Sequence, residues 1–125
     1  MDFVPNIYNN NKLEKILFPT KDGFEMLRIC DINYCEADGN YTTIFLVDKN
    51  SFVVINKIHE VMEKLPAETF FRIHNSFGVN GNQIHKFYKS TLTVEMENQV
   101  ILTVSERKLK DFYEFISPKN IKIDP

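Results

Sequence analysis

A chain of 125 residues with 43% hydrophobic content has enough apolar area for one compact core and rarely for two. Its formal net charge of −2, from 15 Lys and Arg against 17 Asp and Glu, excludes a globally basic nucleic-acid binder, so any phosphate partner would need a locally positive face. Cys30 and Cys35 show no CxxC spacing, which excludes a disulfide framework and a zinc module; both are expected as buried thiols, with no metal and no cofactor.

No apolar run approaches the roughly 18–20 residues that cross a bilayer. The start, Met1-Asp2-Phe3-Val4-Pro5, lacks the basic and apolar regions of a secretory signal, so a cytoplasmic location is expected. Residues 1–12 are polar and Asn-rich and read as a flexible leader or linker remnant. The folded domain is expected over 13–117, and a C-terminal tail over 118–125.

From Leu13 onward the pattern is of short β-rich runs broken by turn residues. Ile16–Phe18 and Phe24–Ile29 flank an Asp22-Gly23 turn, and Ile32–Glu36 follows. Asp38-Gly39-Asn40 is a second turn; Tyr41–Val47 and Ser51–Ile55 then form a hairpin around Asp48-Lys49-Asn50. The first half thus reads as a meander. Asn56 is placed to cap a helix on which Ile58, Val61, Met62 and Leu65 share a face until Pro66.

Short extended segments resume at Phe70–Ile73 and Phe77–Val79, and Asn80-Gly81-Asn82 makes a further turn. Lys86–Tyr88, Leu92–Met96 and Val100–Val104 complete the strands. Ser105 is placed to cap a last helix with Leu109, Phe112, Tyr113 and Ile116 facing inward before Pro118. The sum is an all-β architecture, mainly strands with two short helices.

An enzyme would need a nucleophile with its base, paired carboxylates or a glycine-rich phosphate loop. With four glycines no such loop can be assembled, and a Cys35–His74 pairing is what chance supplies. The informative stretch is Phe70-Phe71-Arg72-Ile73-His74-Asn75-Ser76-Phe77-Gly78-Val79-Asn80, where anchoring apolar residues alternate with hydrogen-bonding ones. From Phe70 to Val94 there is no acidic residue, while Arg72, Lys86 and Lys89 occur there with His74 and His85. One locally positive surface is therefore available despite the acidic total.

That stretch, preceded by Tyr34-Cys35-Glu36-Ala37-Asp38-Gly39-Asn40-Tyr41 and followed by Val104-Ser105-Glu106-Arg107-Lys108-Leu109, resembles the signature of the LytTR DNA-binding family of bacterial response regulators. The resemblance runs in order from about Phe18 to Ile116. It implies an elongated β-sandwich-like domain that inserts loop residues into neighbouring major grooves of duplex DNA without a recognition helix. By position, Asn75 and Arg107 match base-reading residues of the family. The turn at Asn40 and Tyr41 matches a third contact point, where some relatives carry a His that this chain lacks.

The chemistry of the side chains agrees with those roles. Arg presents two donors to guanine O6 and N7, and an Asn amide can donate to and accept from adenine N7 and N6. Ser76 and Ser105 are short donors suited to phosphate, and Arg72, Lys86, Lys89, Lys108 and Lys110 supply sequence-independent attraction. Each has a structural alternative: Ser105 as a helix cap, Arg72 paired with a carboxylate, His74 as a hydrogen-bonded scaffold residue, the lysines as solvated charges. The expectation is a sequence-specific double-stranded DNA-binding output domain of a transcription regulator. Two copies would bind repeated sites, with a receiver domain or sensor kinase as further partners. The rival reading is a protein-interaction module on the same scaffold without DNA binding.

Overall fold

A computed structural model describes residues 14–123, with side chains through residue 117. The leader expected over 1–12 lies outside the described residues. Among the described residues, ten strands, three short 3-10 turns and two α-helices follow in chain order. Strands β1 (Lys15–Pro19) and β2 (Phe24–Arg28) form an antiparallel hairpin with Leu17 opposite Met26. Strands β3 (Ile32–Asp38), β4 (Tyr41–Leu46) and β5 (Ser51–Val54) form the expected meander. After helix α1 (Ile58–Lys64), strands β6 (Phe70–His74) and β7 (Phe77–Asn80) join that meander in a five-stranded sheet of order β5-β4-β3-β7-β6. Strands β8 (Ile84–Tyr88), β9 (Thr93–Met96) and β10 (Ile101–Thr103) make a separate three-stranded sheet. Helix α2 spans Leu109–Ile123.

The five-stranded sheet separates two cores, and the strand period of two explains how. On β3, Cys35 belongs to one cluster and its neighbour Tyr34 to the other; on β4, Ile44 and Phe45 divide in the same way. The first cluster takes Phe18 and Leu27 from the β1–β2 hairpin, Val61 from α1 and Leu65 from just past its end. The second takes Val94, Met96 and Leu102 from the three-stranded sheet and Phe112 from α2. Each such fully buried side chain stabilises the fold by about 1.5–3 kcal/mol. The sheets remain open, so the architecture is a layered, mostly β one with helical trim. Gly78 on β7 allows α1 to approach closely, because a Cβ there would overlap the thioether of Met62.

Four local expectations are corrected. Cys30 is exposed, lying in the 3-10 turn Ile29–Asp31 that leaves the hairpin, whereas Cys35 is buried as expected. Helix α1 is capped one residue later than Asn56: the Lys57 N–H donates to the Glu60 carboxylate at 2.9 Å, which holds that carboxyl below its usual range. Tyr113 is 41% exposed, because it meets Phe87 edge-on at the rim while Phe112 fills the core. Helix α2 continues through Pro118: proline removes one N–H donor yet has a helical φ, and Ser117 Oγ donates back to the Tyr113 carbonyl at 2.6 Å just before it.

Candidate nucleic-acid interface

The sheet register brings separate turns to one end of the molecule. Asp38 lies opposite Tyr41 across the β3–β4 turn, Glu36 lies opposite Phe77, and His74 lies opposite Phe77 across the β6–β7 turn. The Gly39-Asn40 and Asn75-Ser76 turns are therefore neighbours, and the Ala37 N–H donates to the Ser76 carbonyl at 2.8 Å between them. Gly39 has φ +62, a left-handed value that glycine adopts at little cost. Asn40 is exposed and Tyr41 is 39% exposed at this edge.

A third segment reaches the same corner from far along the chain. The Ser105 N–H donates to the Ile73 carbonyl at 2.7 Å, which docks the start of the 3-10 turn Glu106–Lys108 against the end of β6. The turn is held from behind by α2, whose Phe112 lies against Phe71 and Phe87 with ring centroids 6.1 and 5.4 Å apart. So placed, Arg107 Nη2 donates to Asn75 Oδ1 at 2.7 Å, and both side chains are exposed. Arg72 Nη2 donates to the Asn75 backbone carbonyl at 2.6 Å. Two guanidinium groups thus converge on one asparagine.

The other corner residues play supporting parts in this geometry. Arg72 is half-buried, and desolvation followed by the nearby charge of Arg107 lowers its pKa. It braces the turn through a carbonyl, in place of the neighbouring carboxylate that sequence reasoning offered. His74 Nδ1 accepts from the Ser76 N–H at 3.0 Å, and its ring packs on Phe77 at 5.6 Å. That is the scaffold arrangement. Ser105 occupies the cap position of the 3-10 turn without a side-chain capping bond, so its hydroxyl is not used there.

The lysines are arranged less tightly. Lys89 is exposed in the β8–β9 turn. That turn lies at the Ser105 end of the three-stranded sheet, since Tyr88 is opposite Thr93, Thr93 opposite Thr103, and the Val104 N–H donates to Leu92. Lys108 is half-buried in the 3-10 turn and Lys110 is exposed in the first turn of α2. Lys86 is exposed, but its ammonium sits over the Tyr88 ring at 4.8 Å and its strand partner is Glu95, just past the acid-free stretch. Sequence reasoning passed over Thr91, which shares the Lys89 turn and pairs its hydroxyl with Thr93 at 2.9 Å; hydroxyls flanking a turn lysine were the available signal. It also missed the direct Arg107–Asn75 bond, which no local pattern announces.

Cys35 cannot serve as a nucleophile beside His74, because complete burial pushes its thiol up to about 12. Among the described residues no group of three or more His, Cys, Asp and Glu could hold a metal ion. Among them, no helix is long and apolar enough to cross a membrane.

An open β framework carrying turns that converge on an exposed, doubly cationic corner is the form of a loop-based nucleic-acid-binding domain. The sequence profile of the LytTr DNA-binding domain family matches residues 22–117, and the chain belongs to that family. It is similar to the transcriptional regulatory protein YpdB of Escherichia coli K12, 33% identical over 92 residues that cover 70% of this chain and 37% of YpdB. It is also similar to the sensory transduction protein LytT of Enterococcus faecalis, 27% identical over 106 residues, covering 82% of this chain and 43% of LytT. The chain therefore spans less than half the length of these relatives. A solved LytTr DNA-binding domain from a Bacillus cereus response regulator superposes with a TM-score of 0.71 at 26% identity, covering 82% of this chain and 95% of that one.

Proposed function

We propose that this domain binds duplex DNA sequence-specifically as the output module of a transcription regulator, reading base edges in the major groove with the corner residues. The observation that carries the reading is the convergence of Arg107 and Asn75, 32 residues apart in sequence, into one exposed hydrogen-bonded pair. Asn40 and Tyr41 provide a second reading point on the adjacent turn. Ser76, Ser105, Lys89, Lys108 and Lys110 meet phosphates around the pair, and Lys86 adds weaker attraction from further along β8. Arg72 and His74 hold the Asn75-Ser76 turn in shape behind them. Base contacts give specificity and phosphate contacts give affinity.

One such footprint is small, so two copies on repeated sites supply the affinity that a regulator needs. A receiver domain, or a kinase acting on one, fits the greater length of the relatives. Work on the chromosome places the domain in the cytoplasm.

Titration of the full chain with duplexes enriched from a random-sequence library, at two salt concentrations, tests this reading. Affinity should fall steeply with salt, with a residual preference for the enriched sequence over scrambled duplex. No binding at low salt would reject it and favour a protein-interaction module on the same scaffold.

A further inference from the structure

The contact between Asn75 and Arg107 decides what the corner can recognise. A free asparagine amide suits adenine, because its oxygen accepts from N6 while its nitrogen donates to N7. Here Asn75 Oδ1 already accepts from Arg107 Nη2 at 2.7 Å, and Asn75 O accepts from Arg72 Nη2 at 2.6 Å. Both oxygens of Asn75 are engaged by guanidinium groups. Arginine offers no acceptor at all, so the uncommitted groups of the pair are N–H donors. The remaining lone pair of Oδ1 lies against a positive charge, where an incoming adenine amino group meets electrostatic repulsion. Guanine, with N7 and O6 both acceptors on its major-groove edge, asks only for donors.

We infer that Asn75 and Arg107 read DNA as a single donor-only unit that selects guanine, with Asn75 positioning the Arg107 guanidinium and reading no adenine of its own. This rests on the DNA-binding reading above and adds the base and the division of roles. The supports of the unit are unequal. Arg107 comes from a 3-10 turn that α2 backs and that one backbone bond, Ser105 N–H to Ile73 O, ties to β6, but among the described residues no bond to its own segment fixes where its long side chain ends. Asn75 sits in a two-residue turn whose backbone is fixed by Arg72, by the Ser76-to-His74 bond and by the Ala37-to-Ser76 bond. The short side chain on the bonded turn is thus the one that can orient the longer one. Arg72 braces the asparagine, and the asparagine aims the arginine.

The experiment uses the full chain and a duplex that it enriches from a random library, together with every single base-pair variant of that duplex. Binding is measured for the parent chain and for Arg107→Ala, Asn75→Ala, Asn75→Asp and the double alanine variant, with thermal melting as a check on folding. Both alanine variants should lose discrimination at the same guanine, by about ten- to a hundredfold for Arg107→Ala. The double variant should bind within about twofold of Arg107→Ala alone, as residues that act through one contact do. Replacement of that guanine by 7-deazaguanine should weaken the parent chain and leave Arg107→Ala unchanged. Asn75→Asp keeps the acceptor for Arg107, so it should retain the guanine preference with lower affinity for all duplexes.

Relaxed discrimination at a second base pair in Asn75→Ala, with losses that add in the double variant, would overturn the inference while leaving DNA reading intact. A new cytosine preference in Asn75→Asp at such a second pair would do the same, because a carboxylate accepts from cytosine N4. If neither alanine variant changes preference at any base pair, the reading beneath it falls as well.

Discussion

The two ends of the five-stranded sheet are built by opposite rules. At one end, the Asp48–Asn50 turn satisfies itself: Asn50 donates through its backbone N–H and its side chain to the Asp48 carboxylate at 2.9 and 3.0 Å. Leu46 and Asn50 close the same turn through the backbone at 2.8 Å. At the other end, the polar groups of Asn75 are met by Arg72, three residues away, and by Arg107, 32 residues away. A turn that serves the fold closes on its own residues. A corner assembled from distant segments fixes side-chain geometry at the surface, which the proposed base recognition requires and folding does not.

The largest effect that sharpens this contrast is at Arg107. Arg107→Ala should cost about 1–3 kcal/mol on the enriched duplex and little on mismatched duplexes, measured by fluorescence anisotropy. Arg72→Ala should follow. It loses the brace on the Asn75 carbonyl and leaves that carbonyl to water, lowering specific binding by about 1 kcal/mol. Arg72→Lys should recover only part of that loss, since an ammonium lacks the planar fork.

Lys89→Ala and Lys110→Ala should each weaken binding evenly across sequences and flatten the slope of log affinity against log salt by about 1. Lys86→Ala should do less, because its ammonium already lies over the Tyr88 ring beside Glu95. The smallest effect on binding belongs to the opposite end. Asp48→Ala should leave affinity for every duplex unchanged while lowering unfolding free energy by about 0.5–1.5 kcal/mol, read by denaturant titration. Equal binding losses for Asp48→Ala and Arg107→Ala would erase the distinction between the two ends.

Most of the fold was legible because strands and turns are written locally. Tyr41–Leu46 alternates exposed or half-buried with buried positions along its length, the period that a half-covered strand imposes. Gly39 and the Asp48-Lys49-Asn50 run fall where the chain reverses. Reading Pro118 as a stop predicts a shorter α2, yet one lost N–H does not outweigh the helix around it. Cys30 is exposed because it continues the outward positions Met26 and Arg28 of β2, while Leu27 and Ile29 turn inward; a residue-type preference for burial does not see that parity.

The candidate site was legible in its membership and illegible in its wiring. The ordered resemblance around His74-Asn75-Ser76 and Ser105-Glu106-Arg107 picked out the residues, whereas the bond between Asn75 and Arg107 depends on β6 and the 3-10 turn docking through Ile73 and Ser105. No periodicity spans that separation. The same reasoning could not tell Arg72, which braces a carbonyl, from the exposed Lys89 and Lys110, since all three are simply cations in the sequence.

Backbone amide chemical shifts of the labelled chain, followed as duplex DNA is added, test the central claim most directly. The account expects the changes to concentrate at Gly39, Asn40, Asn75, Ser76 and Arg107, with Asp48, Lys49 and Asn50 unmoved. Changes concentrated at Asp48–Asn50 or along β1 and β2, with the Asn75–Arg107 corner silent, would contradict it.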